Sequence, residues 1–107
     1  MNIVGLSGRM TKDPELKTDR NGQPVLNFML AVNRNKEKTD FIPIVCWHEL
    51  AQSVASCGFK GMVMCVSGHL RQYDFVKNGV QVQSLSVEAY SIDFHSKKPV
   101  PEDDPFY

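Results

Sequence analysis

Cysteine, tryptophan and net charge are all scarce in this chain of 107 residues, which holds three cysteines, one tryptophan and 12 Lys+Arg against 12 Asp+Glu. Cys46, Cys57 and Cys65 are odd in number and follow no framework spacing, which argues for reduced thiols rather than a disulfide scaffold. No apolar run approaches the roughly 18 residues of a membrane span, and the opening MNIVGLSGRM lacks a leader layout. The expectation is a cytoplasmic protein with no membrane partner. Cys46, His48, Cys57, Cys65 and His69 match no zinc-ligand pattern. A glycine-rich phosphate loop, a paired-carboxylate motif and a nucleophile elbow are all missing. The sequence therefore predicts no metal, no cofactor and no catalysis.

What is present describes one ordinary globular domain. Apolar residues make up 42% and charged residues 22%. A chain of this length buries roughly 60–70% of its unfolded surface without staples. Charge is uneven: residues 1–94 carry 10 Lys+Arg and 9 Asp+Glu, whereas residues 95–107 carry 2 and 3. A body so close to neutral can bind anions only at a local surface.

Five stretches read as strands: NIVGLSGR, VLNFMLAVNR, DFIPIVCW, MVMCVSGHLRQYDFV (interrupted by Gly68) and VQVQSLSVEAYSIDF. Asn21-Gly22 and Lys77-Asn78-Gly79 mark turns. HELAQSVASC spaces Leu50, Ala51, Val54 and Ala55 along one helix face, with Gly58 as its stop. The order β-β-β-α-β-β predicts an all-β protein with one short helix, the layout of the OB-fold, a five-stranded, partly open barrel that commonly binds oligonucleotides. Residues 1–94 form that domain; 95–107, with Pro99, Pro101 and Pro105, read as a flexible tail.

Period-2 alternation in DFIPIVCW places Ile42, Ile44 and Cys46 on a core face and Phe41, Pro43, Val45 and Trp47 opposite. Pro43 points to an edge or a bulge, and Cys46 and Cys65 read as core residues. Arg71, Tyr73 and Phe75 alternate likewise, so a guanidinium and four rings lie on candidate strand surfaces. A base stacked on such a ring gains roughly 1–3 kcal/mol whatever its identity. Arg9, Lys12, Arg34, Lys36, Lys38, Arg71 and Lys77, with Lys17 and Arg20 nearby, are candidate phosphate contacts. In the segment PEDDPFY, Glu102, Asp103 and Asp104 precede Pro105, Phe106 and Tyr107. An acidic run beside two rings in such a tail has little folding role and reads as a recognition peptide.

These residues resemble the bacterial single-stranded DNA-binding proteins. The matching pieces are GRMTKDPELKTDRNGQPVLNFMLAVNR, TDFIPIVCWHELAQSVA and GHLRQYDF, spread over most of residues 1–94. The resemblance implies base stacking at Phe41, Trp47 and Phe75. It also implies non-catalytic coating of single-stranded DNA in replication, repair or recombination by a homotetramer, with a homodimer as the alternative. DDPFY resembles that family's acidic tip, which docks onto replication and repair proteins. The chain departs from the pattern at four places. Lys36 stands near where some members stack a tryptophan, and Pro43 and Tyr73 occupy places where basic residues are common. The linker is very short, and Tyr107 follows Phe106. A primosome-type OB-fold adaptor and an RNA-binding OB-fold protein are the rival expectations.

Overall fold

Apolar side chains at every second position of an extended chain all face one way. Leu26, Phe28 and Leu30 do so in the computed structural model, which describes residues 1–95, and all three are buried. They belong to β3 (Pro24–Asn33), which pairs antiparallel with β4 (Thr39–Trp47) over nine residue pairs, Val25↔Trp47 to Asn33↔Thr39. The remaining strands are β1 (Val4–Met10), β2 (Lys17–Thr18), β5 (Val63–Lys77) and β6 (Val80–Phe94).

Pairing runs β1–β5–β6–β4–β3, and Arg9↔Ala31 and Met10↔Leu30 bring β3 back onto β1. Five strands thus form a ring with the OB-fold order. The inward residues, among them Met10, Leu26, Ile44, Met64, Val66 and Val87, are nearly or fully buried. Each such side chain contributes roughly 1.5–3 kcal/mol of burial. Helix α1 (His48–Cys57) packs Ala51 and Val54 into this core, as the spacing of its apolar face predicts. It stops where the Gly58 amide donates to Val54 O at 2.8 Å.

The structure differs from the sequence reading at β2, Gly68 and Cys65. β2 is a sixth strand, two residues paired with Pro24 and Val25, too short for any periodic signal. Pro43, expected at an edge or a bulge, pairs with Met29 of β3 on one side, while the β4–β6 pairing begins only at Ile44, so its other side lies at an edge as expected. The Met29 carbonyl turns away from β4 to accept from Thr11 Oγ1 at 2.9 Å, which makes this a non-hydrogen-bonded pair and leaves the missing proline N–H without consequence there. Gly68 does not interrupt β5; it sits at a register shift against β6, where a Cβ would collide with the Glu88 carbonyl oxygen. Cys65 faces outward between buried Met64 and Val66, its Sγ 3.1 Å from Ser7 Oγ, whereas Cys46 is fully buried.

β5 and β6 continue past the ring as a long hairpin, closed by Asn78 at φ 54° and Gly79 at φ 79°. Positive φ at both central residues is the turn whose twist suits antiparallel strands, as the Asn-Gly pair predicts. The tail reading for 96–107, including Glu102, Asp103, Asp104, Pro105, Phe106 and Tyr107, lies outside the described residues.

Candidate nucleic-acid interface

The β3–β4 register fixes what faces outward. Leu26↔Cys46, Phe28↔Ile44 and Leu30↔Ile42 point to the core, so Val25↔Trp47, Asn27↔Val45, Met29↔Pro43 and Ala31↔Phe41 lie on the other face. On the β5–β6 hairpin, Tyr73 is opposite Ser84 and Arg71 opposite Ser86. These surfaces meet in one concavity of about 350 Å³, whose walls carry Trp47, Tyr73 and Phe75. Val25, Asn27, Val45, Ser84 and Ser86 complete it.

Three of the four predicted stacking rings are therefore brought together from two distant segments. Trp47 is half-buried, while Tyr73 and Phe75 keep 38% and 45% of their surface exposed, enough to receive a flat ligand. Val45 is only 5% exposed. It was expected on a face not needed for the core, yet it is covered as the floor of this concavity. Burial, reinforced by the Glu88 charge and offset in part by Arg71, raises the pKa of the Tyr73 hydroxyl. That hydroxyl stays a neutral donor through the physiological range.

Phe41 is separate. It lies on the same face of β4 but six residues before Trp47, about 20 Å along an extended strand, and it does not line the concavity. At 59% exposed it forms a row across the sheet with Ala31 and Arg9.

The candidate phosphate contacts do not form one stripe. Arg34 donates to Asp40 through Nη2 at 2.6 Å and Nε at 3.3 Å. This holds the Asp40 carboxyl below its ordinary range and raises the pKa of the Arg34 guanidinium. Arg71 donates from Nε to Glu88 Oε2 at 2.7 Å. Both guanidinium groups are thus opposed by a carboxylate. Arg9 reaches the Gly61 carbonyl at 3.5 Å. Lys36 and Lys38 sit exposed in the β3–β4 turn and Lys77 at the end of the hairpin. Lys12 and Lys17 wall a second cavity of about 250 Å³, which shares Asn27 with the aromatic one. Among the described residues no group of three or more His, Cys, Asp and Glu is gathered for a metal, and no helix is long and apolar enough to cross a membrane.

Sequence reasoning passed over Asn27, Ser84, Ser86 and Glu88, and placed Val45 on the outer face without a role. The alternation that singled out Phe41 and Trp47 also marks Val25 and Asn27 on the neighbouring strand, had the β3–β4 register been assumed. Glu88 carried no local signal, since its partner Arg71 lies across the hairpin.

A family model described as the single-strand binding protein family matches residues 1–95. Among curated proteins, the chain is 43% identical over 102 residues to single-stranded DNA-binding protein 3 of Clostridium acetobutylicum, with 88% of this chain and 70% of that one covered. It is 43% identical to single-stranded DNA-binding protein 2 of the same organism, covering 88% and 76%. With single-stranded DNA-binding protein A of Bacillus subtilis it shares 38% over 105 residues, covering 92% of this chain and 61% of the relative.

Proposed function

The chain belongs to the single-strand binding protein family, and we propose that it coats single-stranded DNA through the aromatic concavity, without catalysis and with little dependence on sequence. The observation that carries this reading is the convergence of Trp47, Tyr73 and Phe75 on one open cavity with an apolar floor. Rings so placed offer bases a stacking surface, and every base has a flat face to stack. Phe41 with Arg9 supplies a second patch farther along the strand, and Lys12, Lys36, Lys38 and Lys77 supply dispersed phosphate contacts.

Trp47 is the sole tryptophan, so its fluorescence reports the site directly. Oligo-dT is expected to quench it strongly, and matched RNA or duplex DNA weakly. Equal quenching by RNA would favour an RNA-binding role, and no quenching by any oligonucleotide would favour an adaptor.

Three further assignments belong to the same proposal. Residues 102–107 act as a docking peptide for replication and repair proteins in the cytoplasm, with Phe106 and Tyr107 filling an apolar pocket and the three acids meeting its basic rim. Deleting them is expected to abolish partner docking without weakening DNA binding. The chain also self-associates. β1 pairs with β5 from Val4 to Arg9 but with β3 only at Arg9 and Met10, so among the described residues Val4–Gly8 has no strand paired on its other side. Such an edge pairs readily with a second copy, giving a two-fold dimer from which a tetramer is built. A monomeric mass by light scattering at micromolar concentration refutes this.

A further inference from the structure

The aromatic concavity has a carboxylate beside it. Glu88 follows Ser84 and Ser86 at alternate positions of β6, so all three face the same way, and it lies beside Val45 in the β4–β6 pairing. Val45 is the floor of the cavity, and Ser84 and Ser86 line it. After burial, the Glu88 charge is the next cause that raises the pKa of the Tyr73 hydroxyl. The Glu88 side chain keeps 32% of its surface accessible.

Its two oxygens are not equivalent. Oε2 accepts from Arg71 Nε at 2.7 Å, whereas no described residue donates to Oε1. His69, opposite Glu88 in the β5–β6 register, instead packs its ring at a tilt of 47° against Tyr90, with centroids 5.1 Å apart. Arg71 holds the carboxylate in place and cancels much of its repulsion toward phosphate, while leaving one acceptor without a donor among the described residues, on a side chain that neighbours the cavity-lining Val45 and Ser86. An ionised carboxylate only accepts hydrogen bonds. Cytosine and adenine each carry an exocyclic amine that projects donors past the ring, and carboxylates accept readily from the cytosine amine. Thymine offers carbonyl oxygens there, and its one N–H is flanked by two of them, so it meets an ionised acceptor unfavourably.

We propose that Glu88 gives the stacking site a base preference, favouring bases with an exocyclic amine over thymine. The inference rests on the reading that the concavity receives single-stranded DNA. It adds a selective contact to surfaces that otherwise accept any base.

The test is a pair of Trp47 quenching titrations at fixed salt with oligo-dC and oligo-dT of equal length, on the full chain and on Glu88→Gln and Glu88→Ala. Thymine strands are intrinsically less stacked, so the informative quantity is the change in the dC:dT affinity ratio. Both substitutions are expected to move that ratio toward dT, Glu88→Ala by roughly tenfold or more, the size of one hydrogen bond to a charged group, and Glu88→Gln by less, because its amide oxygen still accepts. Circular dichroism confirms that the variants are folded. An unchanged ratio, or equal strengthening toward both oligonucleotides through release of Arg71, overturns the proposal while leaving DNA binding intact. Absence of quenching by either strand in the unaltered protein overturns the underlying reading and this proposal with it.

Discussion

β5 and β6 differ more along their own length than from any neighbour. From Val63 to His69, β5 alternates half-buried and buried residues; from Leu70 to Lys77 every residue is exposed. The antiparallel pairing with β6 nevertheless extends from Met64↔Phe94 to Lys77↔Val80, with one register shift at the junction. One ladder therefore serves two purposes. At the base, side chains hold the ring together. In the arm, backbone bonds and the Asn78-Gly79 turn maintain the strands, so Tyr73 and Phe75 are free of packing duty. An isolated two-stranded hairpin is marginal in water, and this one is held by the ring from which it grows.

The contrast is tested most severely by truncating one residue from each half. Met64 is 0% exposed, so Met64→Ala is expected to lower stability by about 2–5 kcal/mol in urea unfolding. Phe75→Ala is expected to leave stability within about 0.5 kcal/mol, as for surface positions generally. Comparable losses at the two sites would show that the arm is part of the core after all.

The next effect reverses the roles of the two halves. Phe75→Ala is expected to weaken oligo-dT binding by about 1–3 kcal/mol, the worth of one stacked base, measured by anisotropy of a labelled oligonucleotide. Trp47→Ala should lose as much and also some stability, because Trp47 is half-buried. Met64→Ala, measured where it remains folded, should bind normally. Phe41→Ala, outside the concavity, should matter only for oligonucleotides long enough to reach the Arg9–Ala31–Phe41 row.

Much of the base was legible because it obeys a single rule. The alternation of Ile42, Ile44 and Cys46 determines which face of β4 turns inward, and Leu50, Ala51, Val54 and Ala55 identify the helix by the same reasoning at a different period. The Asn-Gly turn fixed the hairpin. The site was legible only residue by residue. Trp47, Tyr73 and Phe75 stood out as rings on strand surfaces, but their meeting depends on how a hairpin leaves a closed ring. The burial of Val45 has the same origin, since the covering comes from segments far along the chain. Arg71 and Glu88 show the limit most clearly, because a phosphate contact inferred from one strand is answered by an acid on another.

A smaller effect separates the core from the surface by pH. Burial pushes the Cys46 thiol from 9.0 up to about 12. In the unfolded chain the thiol ionises near 9, while in the folded protein it keeps its proton until about 12. The unfolded state therefore binds fewer protons across this window, and stability falls as pH rises through it. At pH 10 the loss is about 1 kcal/mol. Cys46→Ala is expected to be less stable at pH 7, and its deficit relative to the unaltered protein should shrink by that amount at pH 10. A constant deficit between the two pH values would mean that the thiol ionises as easily inside as outside. Exposed Cys57 should alkylate readily at pH 8 while Cys46 does not.

The smallest expected effect is at the far side of the arm. Leu70 and Leu85 are 45% and 55% exposed, and they occupy β5 and β6 positions that alternate with those of the rings. If no second copy covers them, Leu85→Ser removes little buried surface, and the unfolding midpoint should shift by less than about 0.5 kcal/mol equivalent. Protein concentration makes this small number informative. A second copy lying over the arm would bury Leu85 in the assembly alone, and mass action would then couple its loss to concentration. A shift absent at low micromolar protein and growing at high concentration would mark the arm as part of an interface between copies. A small shift that does not depend on concentration would leave self-association to the Val4–Gly8 edge, with the arm held by backbone pairing alone and its rings left for the nucleic acid.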